Sequence, residues 1–324
     1  MDARLSPEQV ALRDAVAQAV AKLAPKTVAQ LDDAERASKL DAAIAAAGWR
    51  ELRADAGGGA PWASAVEAAI VAEELGCGLA DASFIGPTLA ADLRRLIGAP
   101  VAARMETVAL DAGVAVDARG CACALQASAG HVVEVALTRE RTGTDLTRPS
   151  ARVQVDGHGT ELTETLSEDV LACWNALGLA LSCADLVGVM RGAITLAAEY
   201  AKSRQQYGQA VGSFQAVQHL LADALVAMEG SRSVALHAAW AVDALSPTDA
   251  GTAGAVAKAY CSRAARNVCE TAIQVHGGIG NTWDCLAHVY LRRALVSIDM
   301  FGGEGANLAR VLEHHGVGGP HGLR

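Results

Sequence analysis

The stretch from Tyr200 to Arg293 constrains this chain more than any other. One end carries Arg204, Tyr207, Gly208 and Gly212, followed by Phe214, Gln215, Gln218 and His219. The other end carries Gln274, His276, Gly277, Gly278 and Gly280, then Trp283 and the run Tyr290 to Arg293. Long Ala-rich segments of helical pattern lie between. An arginine fork pairs bidentately with phosphate, and glycines bare the backbone amides beside it. The pairing suits a diphosphate. Gly277-Gly278-Ile279-Gly280 is no dinucleotide fingerprint, because it follows a helix and opens no βαβ unit.

The apolar share of 52% is alanine-heavy and aromatics are 4%, which favours closely packed helices. At 324 residues the chain is long enough for one large domain or two to three smaller ones. A net charge of −9 argues against nucleic acid or an anionic membrane as partner. The N-terminus has acid where a signal peptide needs an apolar core. The most apolar run, Trp174 to Met190, carries Asp185 and is shorter than the ~18–20 residues of a span, so it reads as a buried helix. Eight scattered cysteines, with no zinc-type spacing, predict free thiols, no metal and a cytoplasmic location.

In chain order, Ser6-Pro7-Glu8 predicts a capped helix start. Helices are expected near Lys39–Ala47, ending at Gly48, and Ala63–Leu75, stopped by Gly76, with a glycine-rich loop over 56–61 between them. Glu73 and Glu74 point about 100° apart on that helix and predict a solvated face. Alternating runs at Thr107–Leu110, Cys121–Ala124, His131–Val135 and Ala151–Val155 predict a small β domain. Four long helices should follow, near Ser167–Ser203, Gly212–Leu245, Ala250–His276 and Asp284–His314, the last broken near Phe301–Gly303. Short loops make them an antiparallel bundle. The expected fold is mainly α, with an N-terminal helical domain (1–100), a shortened middle β domain (101–165), a C-terminal four-helix bundle (166–316) and a flexible tail (317–324).

The Arg204 and Gln274–Gly280 stretches together resemble the C-terminal domain of the acyl-CoA dehydrogenases. The order Gly48-Trp49, glycine-rich loop, Glu73-Glu74-Leu75-Gly76 resembles their N-terminal domain. Asp145-Leu146-Thr147-Arg148-Pro149 resembles a segment of a short bacterial branch of the family. The resemblance implies FAD and α,β-dehydrogenation of an acyl-CoA thioester. Arg204 and Gln215 then match cofactor-binding positions, and Gln274, Gly277 and Gly278 match a patch reaching a neighbouring subunit's FAD. Tyr207 and Phe214 are expected in packing, whereas His219 and His276 either face the flavin or cap helices. The middle domain is about half the family's usual length and lacks its flavin-contacting threonine-rich stretch.

The family reaction needs a carboxylate to take the α-proton. Where the family carries its base, this chain has Met300-Phe301-Gly302, and the alternative family position offers Gly178-Leu179. Glu304 and Asp299 are the catalytic candidates; Asp284 reads better as a helix cap. Implied partners are an acyl-CoA (in this branch a bulky or steroid side-chain thioester), an electron-transfer flavoprotein, and a second copy or a longer homologue in an α2β2 assembly. Two alternatives stay open: a non-catalytic partner subunit or flavin-free scaffold of the same fold, and a flavin oxidase or hydroxylase.

Overall fold

The computed structural model describes residues 4–110, 113–128, 130–141, 143–154, 159–163 and 165–317. Four helices come first: α1 (Pro7–Leu23), α2 (Ala34–Ala46), α3 (Ala65–Cys77) and α4 (Ile85–Leu96). The expected start of α1 is there as a full capping box between Ser6 and Gln9. Helix α3 runs on through Gly76 to Cys77. Gly76 is no stop signal here but a packing site, since a β-carbon on it would sit 2.7 Å from the Asp185 carbonyl oxygen. Helix α4 was not among the expected elements, and Gly86 and Pro87 lie inside it. Pro87 lies in the first turn, where its missing N–H removes no helical hydrogen bond.

Six strands then form one sheet: β1 (Glu106–Leu110), β2 (Val114–Val116), β3 (Cys123–Ser128), β4 (His131–Ala136), β5 (Ala151–Arg152) and β6 (Thr160–Thr163). Their order is β5-β2-β1-β3-β4-β6, with β1 and β3 parallel and the remaining pairs antiparallel. The four runs seen in the sequence became β1, β3, β4 and a shorter β5. The part of the fourth run at Val155 lies outside the described residues, as does the tail beyond Val317. Strands β2 and β6 are too short for an alternating pattern to register.

The bundle consists of α5 (Glu168–Ser203), α6 (Gln215–Ala244), α7 (Pro247–His276), α8 (Ala287–Asp299) and α9 (Glu304–His314). A small hairpin, β7 (Gln205–Gln206) with β8 (Gln209–Ala210), joins α5 to α6. Helix α5 is the axis, packed on α3, α6, α7 and α8. It is long and apolar enough to cross a bilayer, so length alone does not exclude a span; its most apolar window is 72% buried inside the fold. A β-carbon on Gly188 would collide with the Glu73 carbonyl, which is why α3 and α5 can lie so close.

Two ionic clusters, one half-buried and one buried, lock these layers together. Glu73 and Glu74 are not a solvated face. Arg191 of α5 reaches both, at 3.1 and 2.6 Å, and Arg232 of α6 lies 3.1 Å from Glu73. The second cluster centres on Asp185, fully buried in α5. It accepts from Arg293 Nη2 and Ser297 Oγ of α8, each at 2.6 Å, and Arg148 Nη1 lies 3.2 Å away. Arg148 is also held by Asp145 at 2.8 Å, and Arg293 donates to Thr147 and to the Ala80 carbonyl. One cluster therefore ties the loop after α3, the loop before β5 and the bundle. Breaking such a buried pair costs about 3–5 kcal/mol, because it strands a charge away from water.

Candidate cofactor and active site

Arg204 ends α5, its N–H donating to the Tyr200 carbonyl at 2.8 Å. The following hairpin turns through Tyr207 and Gly208, both at positive φ (52° and 80°), the geometry of a tight two-residue loop. Phe214 then precedes α6 with no side-chain cap, so the first amides of α6 keep no side-chain acceptor. Across from this, α7 ends at His276, and Gly277 turns the chain at φ 63°. Arg204, Phe214, Gln274, Gly277 and Gly278 line one recess of about 540 Å³. Residues seventy positions apart in sequence thus meet, because α6 and α7 form an antiparallel pair whose outer ends lie beside the end of α5.

Gln215 begins α6 but is not part of the recess wall, and His219 is exposed on the same helix. Tyr207 does not pack as expected: it is 93% exposed, its ring edge-on to Phe214 at 6.3 Å. His276 is buried and walls the recess.

The candidate carboxylates lie elsewhere. Glu304 is the first residue of α9 and accepts from Arg263 Nε of α7 at 2.9 Å. Taking a proton would break that ion pair. Asp299 shares the same recess, of about 650 Å³, with Arg263, Arg266 and Glu304. Arg263 and Gln274 are eleven residues apart on α7, about 16 Å of helix. The two acids therefore occupy a different place on this chain from the Arg204 recess. Asp284 does not cap α8, which starts at Ala287 after Leu286.

Between α8 and α9 the chain turns through Phe301, at φ 59°, and Gly302, at φ 87°. The turn is pinned from α9: Asn307 Nδ2 donates to the Gly302 and Gly303 carbonyls, and Arg310 to that of Phe301. Phe301 lies directly on Gly178 of α5, where a β-carbon would run into its ring, and edge-on to Trp174 at 5.8 Å. Both positions at which the family resemblance looks for a base are thus one apolar contact, Phe301 on Gly178.

The Asp145–Arg148–Asp185–Arg293 cluster was not foreseen. The signal was present: an aspartate inside the most apolar run of the chain demands a buried cation. One grouping of metal-ligand type among the described residues, Glu106, Cys123 and Glu134, is occupied by the Arg94 guanidinium, which pairs with both glutamates.

Comparison with known proteins gives the class. Residues 178–313 match the family model of the acyl-CoA dehydrogenase C-terminal domain. The chain is 34% identical over 240 residues to the acyl-CoA dehydrogenase IpdE2 of Mycobacterium tuberculosis, covering 70% of this chain and 71% of that one. It is 38% identical over 168 residues to FadE34 of the same organism, a match that spans 52% of this chain and 23% of FadE34. Its fold is similar to that of the Tcur3481-Tcur3483 steroid ACAD, with a TM-score of 0.82 at 22% identity over 95% of this chain and 98% of that one.

The chain belongs to the acyl-CoA dehydrogenase family. FAD is the cofactor that membership implies, and the Arg204 recess fits its diphosphate. Among the described residues no carboxylate pairs with Arg204, and a β-carbon at Gly277 or Gly278 would meet nothing within 4 Å. A cation without an anion therefore faces open backbone.

Proposed function

We propose that this chain is a subunit of an FAD-dependent acyl-CoA dehydrogenase that holds the cofactor and leaves proton abstraction to a longer homologous partner. The observation that carries this reading is Phe301 on Gly178, an apolar contact where a base would be needed. The ion-paired Glu304, remote from the recess, supports it. So does the similarity to the steroid ACAD that joins Tcur3481 with Tcur3483, and that likeness also favours a bulky acyl group as substrate.

In this role the residues bind rather than react. Arg204 pairs with the diphosphate, the uncrowded backbone at Gly277 and Gly278 lets it approach, although the Gly277 N–H is already given to the Gln274 carbonyl, and Gln274 supplies an amide at the rim. The flavin, when bound, accepts the hydride from the β-carbon of the thioester. Phe301 and Trp174 keep water and charge out of this chain's own half of the bundle. An electron-transfer flavoprotein is the acceptor the reading implies, and the cytoplasm its location.

The test is flavin content in a complex co-purified with a longer homologue from the same source. Arg204→Ala should lower the flavin bound per complex by about tenfold or more, the usual scale of one charge-assisted bidentate contact. Unchanged flavin content in that variant would overturn the assignment of the recess.

A further inference from the structure

A second cavity, of about 420 Å³, lies behind the diphosphate recess, and Tyr200, His276 and Ile279 wall both. Nothing in the proposed role uses it. Cys285 and His276 both line its wall, close enough for each to shift the other's ionisation. His276 closes α7, and its Nδ1–H donates to the Ala272 carbonyl at 2.7 Å, which leaves Nε2 as the basic nitrogen. Tyr200 stacks on the ring at 4.6 Å and fixes its plane. The Ala287 N–H, at the start of α8, donates to Cys285 Sγ at 3.5 Å. Leu196, Ile279 and Leu286 give the cavity an apolar side.

We infer that Cys285 and His276 form a nucleophile–base pair, and that this cavity is a modification site for small α,β-unsaturated carbonyl compounds. His276 takes the thiol proton. Cys285 Sγ bonds to the β-carbon, the π pair moves to the α-carbon, and His276 returns the proton there. The addition is balanced without an oxidant. Sulfur is a soft nucleophile that prefers such a carbon, and the imidazolium supplies the proton the adduct needs.

The electrostatics agree. Burial resists ionisation of Cys285, but the neighbouring His276 and the Ala287 N–H prevail and hold its thiol below the ordinary value. Burial likewise opposes the charged His276, yet Cys285 beside it and the Ala272 carbonyl raise it. The other charged groups on the cavity are Lys26 beyond α1, Glu199 of α5, itself paired with Lys202 at 2.9 Å, and Asp284 before α8. By contrast, burial pushes Cys77, Cys121 and Cys173 up, although all three are more exposed than Cys285.

Exposure and chemistry thus predict opposite orders of reaction, which makes the test decisive. The purified protein is treated with a limiting amount of N-ethylmaleimide, itself an α,β-unsaturated carbonyl, between about pH 6 and about pH 8, and its eight cysteines are mapped by peptide mass. Cys285 should be alkylated first, and His276→Asn should slow it by about tenfold or more near neutral pH, through the lost thiolate fraction. First labelling at Cys77, Cys121 or Cys173 overturns the inference on the wild-type protein alone. An unchanged rate at Cys285 in the His276 variant overturns it too.

Discussion

Asp185 sets the terms for the residues around it. A carboxylate with no exposure, on an axial helix, can exist only because Arg148 and Arg293 arrive from two other parts of the chain. Burial raises the Asp185 and Asp145 carboxyls, but the two guanidiniums outweigh it and hold both below the ordinary carboxylate value. A depressed folded pKa contributes stability that is fully present above the unfolded value of about 3.9 and is lost as pH falls through the folded one. The cluster should therefore support the fold throughout the neutral range and fail below about pH 4. Arg293→Ala should lower unfolding free energy in urea at neutral pH by about 3–5 kcal/mol. A loss under about 1 kcal/mol would mean that the cluster is spectator chemistry.

The same residues show what a sequence does and does not disclose. Arg204, Gln274, Gly277 and Gly278 stood out because an arginine, an amide and paired glycines suit a phosphate, and they line one recess. Glu304 stood out only by its glycine-rich surroundings. Its partner Arg263 is forty-one positions away on α7, and no local pattern reports such a pairing. The nearness of Cys285 to His276 escaped notice for a similar reason: they are nine positions apart, and only the turn at Gly277 folds one back towards the other.

At the scale of elements, long periodic helices were legible almost to their ends, and short or atypical ones were not. Helices α5, α6 and α7 declare themselves by length and α7 also by Pro247 at its start and Gly277 at its end. Helix α4 hid behind Gly86 and Pro87, and β2 and β6 are three and four residues long. The turn between α8 and α9 is the element that matters most for the proposed function. Its shape depends on Phe301 filling the space that Gly178 leaves on α5. Gly178→Ala should destabilise by about 1–3 kcal/mol through overpacking. Combined with Phe301→Ala, that penalty should largely vanish, giving a strongly non-additive cycle in urea unfolding. Additive losses would mean that the two side chains do not share the space.

At the scale of the whole molecule, the chain gathers Arg204, Gln274, Gly277 and Gly278 in one recess and sets an apolar contact, Phe301 on Gly178, where the family resemblance looks for a base. The account therefore places half of a reaction here and the other half on a partner. The most direct measurement is an anaerobic titration of the FAD-loaded protein with acyl-CoA thioesters, bulky ones included, followed in the visible flavin bands. It is made first on this chain alone and then on its complex with a longer homologue. The account predicts no bleaching with the chain alone and full bleaching in the complex, unaffected by Glu304→Gln. Bleaching by an acyl-CoA with this chain alone, abolished by Glu304→Gln, would contradict it and make the chain a complete dehydrogenase.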